Sequence, residues 1–183
     1  EQYEQSYETA LSKVPEYRDL IENGGDEIET LTGDKKTLVD NAREAYDKKL
    51  DTEEKIQETE KKLRDEKTQY YDNIIDKATK ENDKLSAAND LIQNQIDLLD
   101  TQGKVVSSDM YDKLISNTKD QIDLAQQILD AKQNKLIDEM ATGKLQANTD
   151  EWLTLTKEII EAKGNVESFN KELAKQEKQL REL

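Results

Sequence analysis

The chain has 183 residues, 38% charged and 33% hydrophobic, and its 42 acids against 27 bases leave a net charge of −15. It holds no Cys and no His, which excludes disulfides, the common zinc and haem ligand sets, and any nucleophilic triad or dyad built on those residues. So acidic a chain offers no basic face to phosphates or acidic membranes, so direct nucleic-acid binding is not expected, and no apolar run approaches the length of a membrane span.

One Pro and six Gly among abundant helix formers make the composition of long helices with thin cores. Residues 1–22 place Tyr3, Tyr7, Ala10, Val14, Tyr17 and Ile21 at alternating spacings of four and three, one face of a helix. Pro15 interrupts this face, either as a kink or as a restart with Ser12 as N-cap and Pro15 in the first turn. Asn23-Gly24-Gly25 is a stop signal, and residues 23–33 read as an acidic linker. A chain that begins on Glu1 already in helical pattern is expected to be an internal part of a longer protein. Asp34 or Thr37 can cap the next helix, which meets no Pro or Gly as far as Asp100 and spans about 100 Å at ~1.5 Å per residue. Its first part has a poor seam (Val39, Ala42, Tyr46, then Lys49, Glu53, Ile56, Glu60, Leu63, Lys67, Tyr70), because charges cannot be buried cheaply. Residues 34–65 are therefore expected to project as an exposed continuation of the long helix.

From Tyr71 the register changes and the seam improves: Tyr71, Ile74, Ala78, Leu85, Ala88, Ile92, Ile96 and Leu99. After Thr101-Gln102-Gly103, one of Ser107, Ser108 or Asp109 caps a helix to about Ala141, with the seam Tyr111, Ile115, Thr118, Ile122, Ala125, Leu129, Lys132, Leu136, Met140. Thr142-Gly143 stops it, and Asn148 with Glu151 fits a capping box for a last helix with the seam Trp152, Leu155, Ile159, Ala162, Val166, Phe169, Leu173, Gln176, Leu180, Leu183. The three segments 66–101, 107–141 and 149–183 are of nearly equal length and joined by short links, which makes neighbours antiparallel. The expected fold is all-α: an antiparallel three-helix coiled-coil bundle over 66–183, with an extended N-terminal helix. Periodicity alone leaves open whether the seams meet within one chain or between chains, so self-association through the coiled coil is the alternative.

Candidate chemistry is sparse. Thr32-Gly33-Asp34-Lys35-Lys36-Thr37 lacks the first Gly of a phosphate-binding loop and has no strand before it. Asp97 with Asp100, and Asp120 with Asp123, read as solvated helix flanks rather than a hard-cation site. Trp152 and Phe169 fall on the seam and read as packing residues. No catalytic residue, cofactor or metal site is expected.

The runs Tyr70-Tyr71-Asp72-Asn73-Ile74-Ile75; Asn94-Gln95-Ile96-Asp97-Leu98-Leu99; Gly103-Lys104-Val105-Val106-Ser107-Ser108-Asp109-Met110-Tyr111-Asp112-Lys113-Leu114-Ile115-Ser116-Asn117; Met140-Ala141-Thr142-Gly143-Lys144-Leu145; Asn148-Thr149-Asp150-Glu151-Trp152; the helix Leu155–Ile160; and the final Arg181-Glu182-Leu183 stand out along residues 70–183. With them this part of the chain resembles the coiled-coil segments of phage and prophage tail tape measure proteins. The resemblance implies a structural rod in the lumen of the tail tube that sets tail length during assembly and leaves ahead of the DNA. It implies tail tube protein, tail assembly chaperones and tail-tip proteins as partners, and the virion as its location after assembly in the bacterial cytoplasm. A bacterial surface or cytoskeletal coiled-coil rod is the runner-up expectation, and a helical insertion in a larger enzyme the third.

Overall fold

The computed structural model describes all residues 1–183 and contains no strand. Its five α-helices are α1 (Gln2–Leu11), α2 (Arg18–Asn23), α3 (Gly33–Thr101), α4 (Ser108–Ala141) and α5 (Asp150–Arg181), with 3-10 turns at Pro15–Tyr17 and Asp26–Thr30. The chain divides into two compact units, residues 1–63 and 64–183, and α3 contributes to both.

The first unit has its own core. Tyr7, Leu11, Val14, Ile21 and Ile28 are buried with Val39 and Ala42 of α3, and Ala10, Leu31, Leu38 and Tyr46 pack around them. This differs from the expected helix and linker. The acidic segment carries Ile28 and Leu31, and Gly24, at φ +73°, lets the chain reverse after α2. The 3-10 turn at Asp26–Thr30 then sets Ile28 into the core. Ser12 is the C-cap of α1 rather than an N-cap, and Pro15 opens the following 3-10 turn, where its missing N–H has no helical bond to lose. The start of α3 does not project: Val39 and Ala42 are fully buried. Lys49 stays half-buried beside Glu4 and Glu53 at 3.9 and 3.8 Å and lies over the Tyr7 ring, 5.6 Å from its centroid. Glu53–Leu63 is the longest stretch in which every residue is exposed.

In the second unit, hydrogen bonds and ion pairs link α3 to α4 in descending order along α4: Thr68 with Glu139, Asp72 with Lys135, Ser86 with Gln121, Asn89 with Asn117. Farther along, Ile96 packs on Tyr111 and Leu114, and Leu180 of α5 covers the same cluster. Lys132 of α4 pairs with Glu158 of α5 at 3.0 Å. The turn after α3 closes with Gly103 at φ +64°. Gly103 donates its N–H to the Asp100 carbonyl and Lys104 donates to Leu99, each at 2.9 Å, a left-handed stop that returns the last carbonyls of the helix to hydrogen bonding. Ser107 Oγ accepts from the Asp109 N–H at 3.2 Å and caps α4. The cap of α5 sits one residue later than expected. Asn148 is in the left-handed region at φ +65°, and Thr149 Oγ1 accepts from the Trp152 N–H at 3.3 Å.

Candidate functional site

The sequence-derived seam residues occupy the helix faces as follows. Tyr111, Ile115, Leu129 and Leu155 are buried, and Tyr71, Ile74, Leu85, Ile92, Leu99, Ile122, Leu136, Trp152, Ile159, Val166, Phe169, Leu173 and Leu180 are half-buried. Met140 and Leu183, also on the written stripes, are exposed, because they stand at helix ends where neighbouring turns give out. The stripes omitted Leu114 and Ala131, which are buried, since α4 has α3 on one side and α5 on another and needs two apolar faces.

Polar side chains converge at one place in this unit. Thr118, Gln121 and Gln176 are the only buried polar residues of the protein, and all three line a single cavity of about 210 Å³. Helical spacing puts them there. Ser86, Asn89, Asp90 and Gln93 come from one face of α3, Leu114, Thr118 and Gln121 from one face of α4, and Phe169, Glu172 and Gln176 from one face of α5, each set at intervals of three and four.

The α3–α4 side of this layer is a connected network. The Asn89 amide donates to Gln121 Oε1 at 2.8 Å and to Thr118 Oγ1 at 3.4 Å. Asn117 donates to Asn89 Oδ1 at 2.9 Å, and Gln121 Nε2 donates to Ser86 Oγ at 2.8 Å. The α5 side is incomplete. Gln176 Nε2 reaches Glu172 Oε1 at 3.4 Å, while Gln176 Oε1 is buried without a partner. Amides and hydroxyls do not titrate near neutrality, so the layer's chemistry is hydrogen bonding: it can fix two helices in register and hold a ligand. Thr118 and Gln176 stood on the expected stripes but Ser86, Asn89, Asn117 and Gln121 did not. The signal that would have found them is a set of uncharged hydrogen-bonding residues at matching heights on neighbouring helices.

A second polar cluster ties Thr68 and its neighbours to the end of α4. The Tyr71 hydroxyl donates to the Asp138 carboxylate, which also pairs with Lys67 at 2.8 Å. Lys144 adds Thr68 at 2.9 Å and Asp65 at 3.6 Å. The Lys67 and Tyr71 bonds hold Asp138 below the usual carboxylate range. The bond to Asp138, and then burial, push the Tyr71 hydroxyl up from 10.0 to about 12. A raised folded-state value means that Tyr71 contributes its full stability below the unfolded value and loses it as pH climbs between the two. Tyr71→Phe is therefore expected to flatten the fall in stability of this unit between those two pH values. Urea unfolding at stepped pH, followed by fluorescence of Trp152, checks it; an alkaline slope equal to that of the unsubstituted protein refutes the assignment.

No family model, curated protein or solved structure matches the chain. The fold is all-α, and its buried polar residues gather in one hydrogen-bonded layer between the helices of the second unit.

Proposed function

We propose that the chain is a structural, non-catalytic segment of a tail tape measure protein of a phage or prophage, and that residues 66–183 work as an antiparallel three-helix coiled-coil bundle within it. The carrying observation is what the family-like residues do at the two turns. Gly103 takes the left-handed stop of α3, Ser107 caps α4, and Thr149 caps α5 on the N–H of Trp152. The resemblance thus falls on residues with definite structural tasks, and not only on the helix-forming background that coiled coils share. Descending pairings between α3 and α4 support the antiparallel arrangement, as does the Lys132–Glu158 pair between α4 and α5.

Two physical features suit a ruler. A helix converts residues into distance at ~1.5 Å each, and α3 alone contributes 69 uninterrupted residues. An acidic surface repels DNA that follows the same path. On this reading the partners are the tail tube protein, assembly chaperones and tail-tip proteins, and the working location is the tail lumen.

The test is genetic and microscopic. Tail particles purified from the source are expected to contain peptides of this chain. Removing its helical segment in frame should shorten the tails, as seen by electron microscopy. Unchanged tail length, or recovery of the chain only in cell-wall or cytoskeletal fractions, overturns the proposal, and the second result points to the bacterial rod.

A further inference from the structure

We propose that Asn23-Gly24 is a site of spontaneous deamidation that the fold of the first unit holds closed, so that the reaction records openings of the last turn of α2. Among the asparagines of the chain, only Asn23 is followed by glycine. With no Cβ on Gly24, nothing crowds the approach of its amide nitrogen to the Asn23 side chain. Water reaches the pair: Asn23 is exposed and Gly24 half-buried. The Gly24 amide nitrogen loses its proton and attacks Asn23 Cγ, the Cγ–Nδ2 bond breaks, and ammonia leaves with that proton. Water then opens the cyclic imide, at Cγ to give aspartate or at the backbone carbonyl to give isoaspartate.

Two hydrogen bonds oppose that attack in the folded chain. The Gly24 N–H donates to the Leu20 carbonyl at 2.9 Å, which commits the nucleophile to the helix. Asn23 Nδ2 donates to Asp19 Oδ1 at 2.7 Å. That bond draws the amide back over the preceding turn, the direction helical side chains already favour, and away from the Gly24 nitrogen. Only molecules in which this turn has opened react, so the rate follows the population of the open form. The product closes less well. A carboxylate at position 23 meets Asp19 where an amide donor stood. Isoaspartate also adds a methylene to the backbone just before Gly24, whose φ of +73° makes the reversal that brings Ile28 into the core. The reaction therefore loosens the first unit permanently. The inference does not depend on the tape-measure reading, because it concerns only the chemistry of this turn.

The test incubates the whole 183-residue chain in mildly alkaline buffer, with and without urea. Amide-to-acid conversion at each asparagine is read by peptide mass spectrometry, and chromatography separates aspartate from isoaspartate. In urea, Asn23 is expected to convert ahead of every other asparagine. In the folded chain its conversion should be at least about tenfold slower, since only the open fraction reacts. Asp19→Ala, at an exposed position, releases the Asn23 amide and should speed the folded-state reaction about threefold or more while leaving the rate in urea unchanged. Asn23→Asp, which carries the charge of one product, should let the Gly24 and Ile28 amide hydrogens exchange with solvent faster than in the unsubstituted protein. Equal rates at Asn23 with and without urea overturn the proposal, because nothing is then held closed. So does a lack of conversion at Asn23 in urea, or an Asp19→Ala variant that reacts no faster when folded.

Discussion

Leu114→Ala should destabilise the second unit by about 3 kcal/mol, within the range of about 2–5 observed for buried Leu truncations. Leu114 is 1% exposed. It packs with Ile96 and Tyr111 beneath Leu180 and borders the polar cavity, so all three helices of the unit converge on it. Truncation removes apolar contact from three neighbours at once. The space it leaves joins an existing cavity, which keeps the surroundings from collapsing onto the gap. Ile137→Ala on the same helix provides the contrast: that side chain is 62% exposed, and its loss should stay within about 0.5 kcal/mol. Trp152 is the only tryptophan, so its fluorescence in urea reports this unit specifically. A Leu114→Ala effect below about 1 kcal/mol would mean that the site relaxes freely, against the packing described here.

Gln121→Leu should cost about 2–3 kcal/mol in the same assay, for a different reason. Gln121 is 3% exposed and is the node of the layer, accepting from Asn89 and donating to Ser86, both at 2.8 Å. Leucine gains apolar burial but strands both partners, and the unmet desolvation dominates. Replacing the group together, with Asn89→Leu, Thr118→Val and Gln121→Leu in one chain, should recover most of that loss, because a well-packed apolar set is commonly as stable as the polar one it replaces. The expected penalty of the triple variant is in uniqueness. With no layer to align α3 and α4, sedimentation should resolve more association states than the unsubstituted protein shows. A single variant within about 0.5 kcal/mol of the unsubstituted protein, or a triple variant with no added association state, would remove the register role.

Helical periodicity located the helices of the second unit closely. Segments expected at 107–141 and 149–183 are observed as Ser108–Ala141 and Asp150–Arg181. The stripes worked because a helix with one packed face repeats every three and four residues. They fell short wherever a second physical influence acted. Leu114, Gln121 and Ala131 of α4 are buried off the single written stripe, because that helix has two neighbours. Leu11 and Ile28 of the first unit are also buried. Leu11 stands one position off the stripe that runs through Ala10, and Ile28 lies in a five-residue 3-10 turn too short to show a period. The polar layer was hidden by chemistry. Asn and Gln on a helix look solvated until a partner at the same height on the next helix is known, and that pairing is a tertiary fact.

The exposed stretch Glu53–Leu63 has a consequence of its own. Its helical bonds are backed by side-chain contacts from no other element strong enough to bury a single residue, and an isolated helical segment this short is marginal in water. Along the 69 residues of α3 this is where opening is least opposed. Its amide hydrogens should trade with solvent sooner than those on either side, and a protease would find its first foothold there, separating two pieces that each retain a core.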